Sequence, residues 1–393
     1  MTRASEALLA LLAALLVVLA IASWTGETAP IWDGKWYFQL ASEGYGAARM
    51  EAPFVYRPGI PYLARGLAAV TGLGTEASFK LVGRAMAVLL LFAAYALGRS
   101  QGASPRQSGF IALLVALCHH HVRLPLFYWS LVDVGGFALL VTGFWWIWRG
   151  WHLRAAFLCA LGLLFKEMLL VPWIAAMVEL VARGERRRRA WVAAPALLGL
   201  ALFLAPRLGL EIRHSQQWID PSQPETLALL WRAPLDPARW SLLLGAALVY
   251  WMPTLLLLTR ERWRALREAL RPRARSLVVY AGLLFPLVMY GGLNVAVFVS
   301  YSVAAQVLVL ALLLREARPP AWELGLVLIL QAFLQHQHQA IPDPHGEQEA
   351  FLAFYGLGEP GTNLLRMLAM SGILLAVHLL RAFLSRSRAR FAA

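Results

Sequence analysis

This sequence points to an all-α protein, a polytopic membrane bundle of about twelve transmembrane helices (roughly 10–13). Three observations carry that expectation. The first is composition. Hydrophobic residues fill 60% of the 393 positions, charged residues only 15%, and the mean hydropathy is +0.59. A soluble domain is nearer half apolar and a quarter charged. So large an apolar excess cannot hide in a water-soluble core, so much of the surface faces lipid. The second is that the apolar residues gather in runs of the length a bilayer asks of a helix. The third is the placement of the cations, which marks the ends of those runs.

The runs are Glu6–Ser23, Lys80–Gly98, Ser108–Leu124, Phe127–Trp148, Arg154–Phe165, Met168–Val181, Trp191–Leu210, Ser241–Thr259, Leu277–Gly292, Val295–Leu314, Trp322–Leu334 and Leu364–Leu380. An even number puts both termini on one side. With the N-terminus inside, most of the 36 Lys and Arg fall in cytoplasmic segments. Arg3, Arg99, Arg106, Arg149 and Arg154 come first. A cluster follows at Arg183 and Arg186–Arg189, then seven arginines between Arg260 and Arg275. Arg315, Arg318 and the tail from Arg381 to Arg390 complete the series. This is the positive-inside pattern. It explains the net charge of +14 as orientation and lipid-headgroup contact, with no nucleic-acid partner. The first run is read as a retained helix, because no small-residue cleavage site stands near Trp24–Thr28. The strong preference for arginine over lysine suits a high-GC bacterium, so the expected location is a bacterial inner membrane of the cell envelope, crossed many times, with both termini cytoplasmic.

Residues 1–393 read as one integral-membrane domain. Its polar length lies in three outer loops, 24–79, 211–240 and 335–363. No cytoplasmic loop is long enough to fold as a domain, and no Walker-type phosphate loop is present, which speaks against an ATP-driven pump. Cys118 and Cys159 both lie in apolar runs and offer neither a disulfide framework nor metal-ligand spacing. Chemistry, if the chain performs any, is expected at the outer face.

The first outer loop is the most informative. It begins Ile31-Trp-Asp-Gly-Lys-Trp-Tyr-Phe-Gln-Leu-Ala-Ser-Glu-Gly-Tyr45 and continues, after a gap, Phe54-Val-Tyr-Arg-Pro-Gly-Ile-Pro-Tyr-Leu-Ala64. Trp32, Trp36, Tyr37, Tyr45, Tyr56 and Tyr62 are aromatics of the kind that settle at headgroup level. From Asp33 to Ser42, Trp36, Tyr37, Leu40 and Ala41 recur at helical spacing, which predicts a helix lying along the interface. By residue type alone, Asp33 reads equally well as the N-terminal cap of that helix or as a functional carboxylate.

The stretch from Trp32 to Leu63 resembles the GT-C superfamily of integral-membrane glycosyltransferases, in particular the branch of GPI mannosyltransferase-like proteins. The pattern there is Trp-Asp-x-x-Trp-Tyr, then Gly-Tyr, then Phe-x-Pro-x-Tyr-Pro. This chain departs from it at Tyr56-Arg57-Pro58-Gly59-Ile60-Pro61, where Arg57 stands among the aromatic and proline positions. The resemblance implies a GT-C-like bundle with interfacial helices in a large first outer loop. It also implies transfer of a hexosyl or pentosyl unit from a polyprenyl-phosphate-linked donor to a glycan, lipid or protein acceptor, with Asp33 as the catalytic carboxylate.

The chemistry asks for the same groups. Transfer from a phosphate leaving group needs a base for the acceptor hydroxyl and cations for the departing phosphate. Arg57 and Lys35 are candidate phosphate partners, as are Arg65 and Arg84; each also reads as an interface-snorkelling cation. Trp36, Tyr37, Tyr45 and Tyr56 are candidate substrate contacts. Asp133 lies one turn into the fourth run, and Lys166-Glu167 between the fifth and sixth. Ionisable groups there are costly and point to function. In order and side they resemble the acidic second-loop residue and the later Lys-Glu pair common in GT-C proteins, giving Asp133 and Glu167 catalytic roles and Lys166 a substrate-binding one. The alternative is a structural ion pair among them. A divalent cation, if one is used, would take Asp33 and Asp133.

His119-His120-His121 point in different directions on a helix and cannot all ligate one ion; His121 is the candidate substrate contact. Gln335-His-Gln-His-Gln339 and His345 read as a substrate-contacting or solvated loop, and Asn294, Tyr301 and Gln306 as polar residues that a bundle satisfies internally. Two other functions fit the same pattern of runs. One is a secondary transporter or lipid flippase, which calls for polar residues at mid-membrane rather than at outer ends. The other is an envelope scaffold, which calls for acids that do not converge.

Overall fold

A computed structural model describes residues 2–31, 33–46, 51–52, 54–209, 213–214, 232–290, 295–342, 354 and 360–392. Trp32, Asn294, His345 and most of the 211–240 and 335–363 loops lie outside these residues. All but a few of the described residues are helical or in short turns. The exception is a two-residue parallel pairing, Glu51 with Arg213 and Ala52 with His214, which ties the first outer loop to the second.

Helix α1 (Arg3–Thr25) opens at Thr2, whose hydroxyl accepts from the Ser5 amide at 3.2 Å. The segment 24–79, expected as the first outer loop, then supplies helix α2 (Asp33–Glu43) and a second helix, α3 (Gly59–Thr71), ended by Gly72 at φ 74°. Helix α4 (Thr75–Ser100) is central. It buries Phe79, Leu90, Leu91, Ala94 and Leu97 and packs against α1, α3, α5 and α7. Helix α5 (Pro105–Ala116) begins with a capping box between Ser104 and Gln107, a pair that satisfies two orphan donors reciprocally. A turn of π-helix (His119–Arg123) leads into α6 (Leu124–Phe127), and the chain bends by 70° between them and α5. Next come α7 (Asp133–Trp148), α8 (His152–Gly162), α9 (Leu170–Ala182) and α10 (Arg186–Gly209).

The second half contains α11 (Pro237–Leu257), α12 (Arg260–Leu270), α13 (Ala274–Tyr290), α14 (Val295–Ser300), α15 (Val303–Ala317), α16 (Ala321–Leu334) and α17 (Pro360–Ala392). The arginine-rich segment that read as a loop folds as α12. Thr259 caps it, Leu266 is buried, and Arg262 meets Glu323 at 2.8 Å, where Arg381 joins at 3.1 Å.

Each of the twelve apolar runs contains a helix, and several helices in the chain are long and apolar enough to cross a bilayer. Among the described residues five pass on length and composition, α1, α4, α10, α11 and α17, and six if the bent pair α5–α6 counts as one crossing. Short helices and breaks account for the difference from twelve: α8, α9, α13 and α16 run 11, 13, 17 and 14 residues. The fourth run starts as a helix only at Asp133, not Phe127, because Tyr128–Val132 turn. The tenth is cut at Tyr301-Ser302, between α14 and α15. The breaks also decide where polar side chains emerge.

Candidate active site

Five ionisable side chains from α2, α3's leading turn, α7 and the α8–α9 junction meet at one end of the bundle. Asp33 sits in the first turn of α2, where the free N–H groups and dipole favour a carboxylate. Its neighbour Gly34 shows why the Asp-Gly order matters. A Cβ on Gly34 would lie 2.1 Å from the Ser130 hydroxyl oxygen and 3.2 Å from Ser130 Cβ, so the backbone of α2 can lie on the Tyr128–Val132 turn only without a side chain there. Gly34→Ala is expected to destabilise the protein by about 1–3 kcal/mol, the range for overpacking. Adding Ser130→Gly should restore most of it in a denaturation series. Equal stability of Gly34→Ala and wild type would mean the two elements are not in close contact.

Arg57 follows the short turn Phe54–Tyr56. Its Nε donates to both carboxylate oxygens of Glu167 at 3.1 Å, its Nη2 lies 3.1 Å from Glu167 Oε2, and its Nη1 donates to the Tyr37 hydroxyl at 2.9 Å. A forked, charge-assisted pair of this kind fixes orientation as well as position. The two partners are brought together through Gly59. Its amide donates to the Leu164 carbonyl at 2.8 Å, and a Cβ there would fall within 2.5–2.7 Å of the Phe165 ring. The partner of Arg57 thus lies 110 residues away in sequence.

Helix α8 ends at Gly162, a turn follows, and Lys166 is extended, with φ −161° and ψ 142°. Its ammonium reaches Asp133 Oδ1 at 2.7 Å. Tyr301, freed by the break between α14 and α15, donates its hydroxyl to the same oxygen at 2.8 Å. Tyr280 in turn donates to the Tyr301 carbonyl, and the Tyr301 ring lies 4.5 Å from that of Phe137. Side-chain exposure is 11% for Lys166, 17% for Asp133, 15% for Arg57 and 30% for Glu167. Sequence reasoning treated Tyr301 as an ordinary bundle residue. A tyrosine followed by serine within an apolar run was the only sign of the helix break.

The charges act on one another. Burial raises the Asp33 carboxyl above its ordinary value. Lys166 and Arg57 pull it the other way, and the negative Asp133 adds to the rise. Glu167 also feels burial as an upward push, but Arg57 and Lys166 outweigh it and hold its carboxyl below the ordinary range. Burial raises the Tyr37 hydroxyl, so it stays protonated. The divalent cation, if one is used, is expected on Asp33 and Asp133. Asp133 pairs with the Lys166 ammonium at 2.7 Å, the same cation acts on Asp33 through space, and among the described residues no three His, Cys, Asp or Glu side chains gather.

The remaining candidates stand elsewhere. Lys35 is exposed, its ammonium 4.5 Å from the Trp36 ring centroid. Tyr45 donates to the Val55 carbonyl and stacks near Tyr62, and Tyr56 is buried in its turn. Arg65 lies against Gly44, and Arg84 is paired with Glu27 at 2.9 Å. His121 does not join the cluster. Its Nε2 lies 3.0 Å from the Ser300 carbonyl, and its ring packs on Phe137 and Tyr250. The three histidines lie in the π-helical turn rather than a regular helix, all buried.

No protein-family model matches this chain, and no curated protein matches it in sequence. Two solved structures share its fold. One is the archaeal oligosaccharyltransferase AglB from Archaeoglobus fulgidus in complex with an inhibitory peptide and a dolichol-phosphate. It has a TM-score of 0.54 and 13% identity over 91% of this chain and 58% of that one. The other is the Archaeoglobus fulgidus oligosaccharyltransferase tethered to an acceptor peptide containing the NVT sequon, with a TM-score of 0.52 and 14% identity over 89% and 58%. The chain thus spans 58% of the length of these enzymes. Together the helices and the likeness define a multi-pass membrane protein with the fold of these oligosaccharyltransferases. The likeness does not select the mannosyltransferase-like branch.

Proposed function

We propose that the protein is a membrane glycosyltransferase that moves a sugar from a polyprenyl-phosphate-linked donor to an acceptor at the outer face of a bacterial inner membrane. The observation that carries this reading is the meeting of Asp33, Arg57–Glu167 and Lys166–Asp133 at one end of a GT-C fold. The fold neighbours, bound to a dolichol-phosphate in one case and an acceptor peptide in the other, support a lipid-linked donor and a peptide or glycan acceptor. Asp33 takes the proton of the acceptor hydroxyl. That oxygen attacks the anomeric carbon, the bond from this carbon to the phosphate oxygen breaks, and the electron pair leaves with the phosphate.

Arg57 and Lys166 stabilise the departing anion. Their carboxylate partners orient them without exhausting their N–H groups, since a guanidinium carries five donors and an ammonium three. Tyr37 holds the Arg57 fork from the α2 side, so the base and the phosphate site move together. An apolar cavity of about 240 Å³, lined by Trp251, Leu277, Tyr280, Leu284 and Phe285, lies next to the Tyr280–Tyr301–Asp133 chain. Its apolar lining suits the donor's hydrocarbon.

Sealed right-side-out vesicles carrying the protein, supplied with a panel of radiolabelled polyprenyl-phosphate sugars and a periplasmic extract as acceptor, test the reading. Transfer in these and not in sealed inverted vesicles is expected. Absence of transfer with every donor in either orientation, alongside uptake or flipping of the lipid, would favour the transporter.

A further inference from the structure

A second polar pocket lies across the Phe137–Tyr301 layer from the charged cluster. It is a cavity of about 110 Å³ between the π-helical turn, α11, the end of α16 and α17, and its polar lining is His119, His120, Tyr250, Gln335, His336 and Arg366. A water needs only ~10–15 Å³ on this measure, so the space holds several waters, or one sugar ring in their place. The wall is assembled by design-like pairings. The Gln335 side-chain oxygen accepts from the His119 amide at 2.9 Å. The Tyr250 hydroxyl and His120 Nδ1 share a hydrogen bond. Arg123 donates to the carbonyls of His336 and Gln339, pinning the His-Gln segment over the turn. The Phe354 ring lies 5.4 Å from His119 and 4.7 Å from His336.

One group in this wall is unused. Gln335 is 2% exposed, and its amide nitrogen has no hydrogen-bond partner among the described residues. A buried amide left so costs free energy, and a ligand in the cavity removes that cost. The lining also specifies the ligand's chemistry. An amide, a phenol and imidazoles both donate and accept, as a hydroxylated ring requires, and Phe354 and Tyr250 supply aromatic faces for its C–H side. Among the described residues the lining holds no carboxylate, and Arg366 is its one arginine, so this wall suits a neutral ring better than a metal ion or a phosphate.

We infer that this pocket binds a sugar ring of a substrate, one that is not the ring undergoing transfer. The inference rests on the glycosyltransferase reading for its ligand class. The packed rings of His121, Phe137 and Tyr301, 5.0 and 4.5 Å apart in turn, separate the pocket from Asp133, so the ring it holds is not the one at the charged cluster. The ring belongs either to a donor glycan longer than one sugar or to a glycan acceptor.

The test is binding of a panel of methyl glycosides to the full-length protein in detergent micelles, read by saturation-transfer NMR. At least one glycoside should bind wild type and Asp33→Asn alike. Gln335→Leu should weaken it roughly tenfold, the scale of one hydrogen bond. Gly245→Phe is a second, independent variant. Gly245 lines the cavity, and a Cβ there meets nothing nearer than Met367 at 3.9 Å. The added ring should fill the space and abolish binding with the wall's hydrogen bonds intact. Repeating the titration with saturating polyprenyl phosphate separates the sources: altered affinity assigns the ring to the donor, unaltered affinity to the acceptor. No glycoside binding to wild type, or binding that both variants leave unchanged, overturns the inference. Vesicle transfer without glycoside binding would sink this pocket and leave the enzyme reading standing; binding without transfer would do the reverse.

Discussion

Asp33→Asn is expected to lower sugar transfer by about 10²- to 10⁴-fold, the contribution of a positioned general base, while making the folded protein no less stable. The two halves of this expectation come from one cause. Burial raises the Asp33 carboxyl, which makes it a stronger base and a costlier anion. A carboxyl whose folded pKa is raised destabilises the fold above that pKa and does not below the unfolded value, about 3.9 for aspartate. Asparagine keeps the shape and the N-terminal position on α2 but carries neither proton affinity nor charge. It should therefore lose activity and hold or gain stability at neutral pH. The wild-type rate should fall with acid as Asp33 protonates, on a limb lying above the ordinary aspartate range, and Asp33→Asn should lack that limb. Glu167 behaves oppositely. Arg57 and Lys166 hold its carboxyl low, so its contribution to stability is present above the unfolded glutamate value of about 4.3 and disappears as pH drops through the lowered one. Acid denaturation and acid inactivation should thus separate, inactivation coming first. Retention of full transfer by Asp33→Asn removes Asp33 from the mechanism.

How much of this was readable from residues alone follows from what local chemistry determines. Apolar runs and the start of α2 at Asp33 are set by neighbours in sequence, and each was legible. Helix α3 was expected only as an unplaced interfacial helix of the 24–79 segment; Pro61 sits in its first turn, where it loses no hydrogen bond. The helix breaks were not legible. Those at Tyr128–Val132 and Tyr301-Ser302 interrupt strongly apolar runs, and what they gain is tertiary: the first turn lies under Gly34, and the second lets Tyr301 reach Asp133. The ionisable residues could be named one by one, but not their partners. Asp133, Lys166 and Glu167 read as one possible mutual pairing. In the fold Lys166 goes to Asp133 and Glu167 to Arg57, a division fixed by the packing of Gly59 on Phe165. The alternating Gln and His residues at 335–339 likewise gave no hint that Arg123 fastens them.

Lys166→Met is expected to destabilise the protein by about 3 kcal/mol, at the low end for breaking a buried ion pair, because both side chains keep some exposure, 11% and 17%. Most of that cost is not the lost attraction. It is the Asp133 carboxylate left in a poorly solvated site with the Tyr301 hydroxyl as its remaining donor from this pair of contacts. The double variant Lys166→Met/Asp133→Asn removes the stranded charge and keeps an oxygen for Tyr301. It should recover a large share of the stability, giving a coupling of about 0.5–3 kcal/mol in a double-mutant cycle, and should still be inactive. Denaturation of the four proteins in one membrane mimetic measures this. Additive losses would mean that the two groups do not interact. The pattern of stability regained without activity regained would separate what the pair does for the fold from what it does for the reaction. A neutral Met–Asn pair can join α7 to the α8–α9 junction nearly as well as an ion pair does. It cannot offer a leaving phosphate a cation, nor temper the negative charge that Asp133 imposes on Asp33. Stability regained without activity would mark these charges as serving the substrate rather than the bundle, as ionisable groups within a membrane protein commonly do.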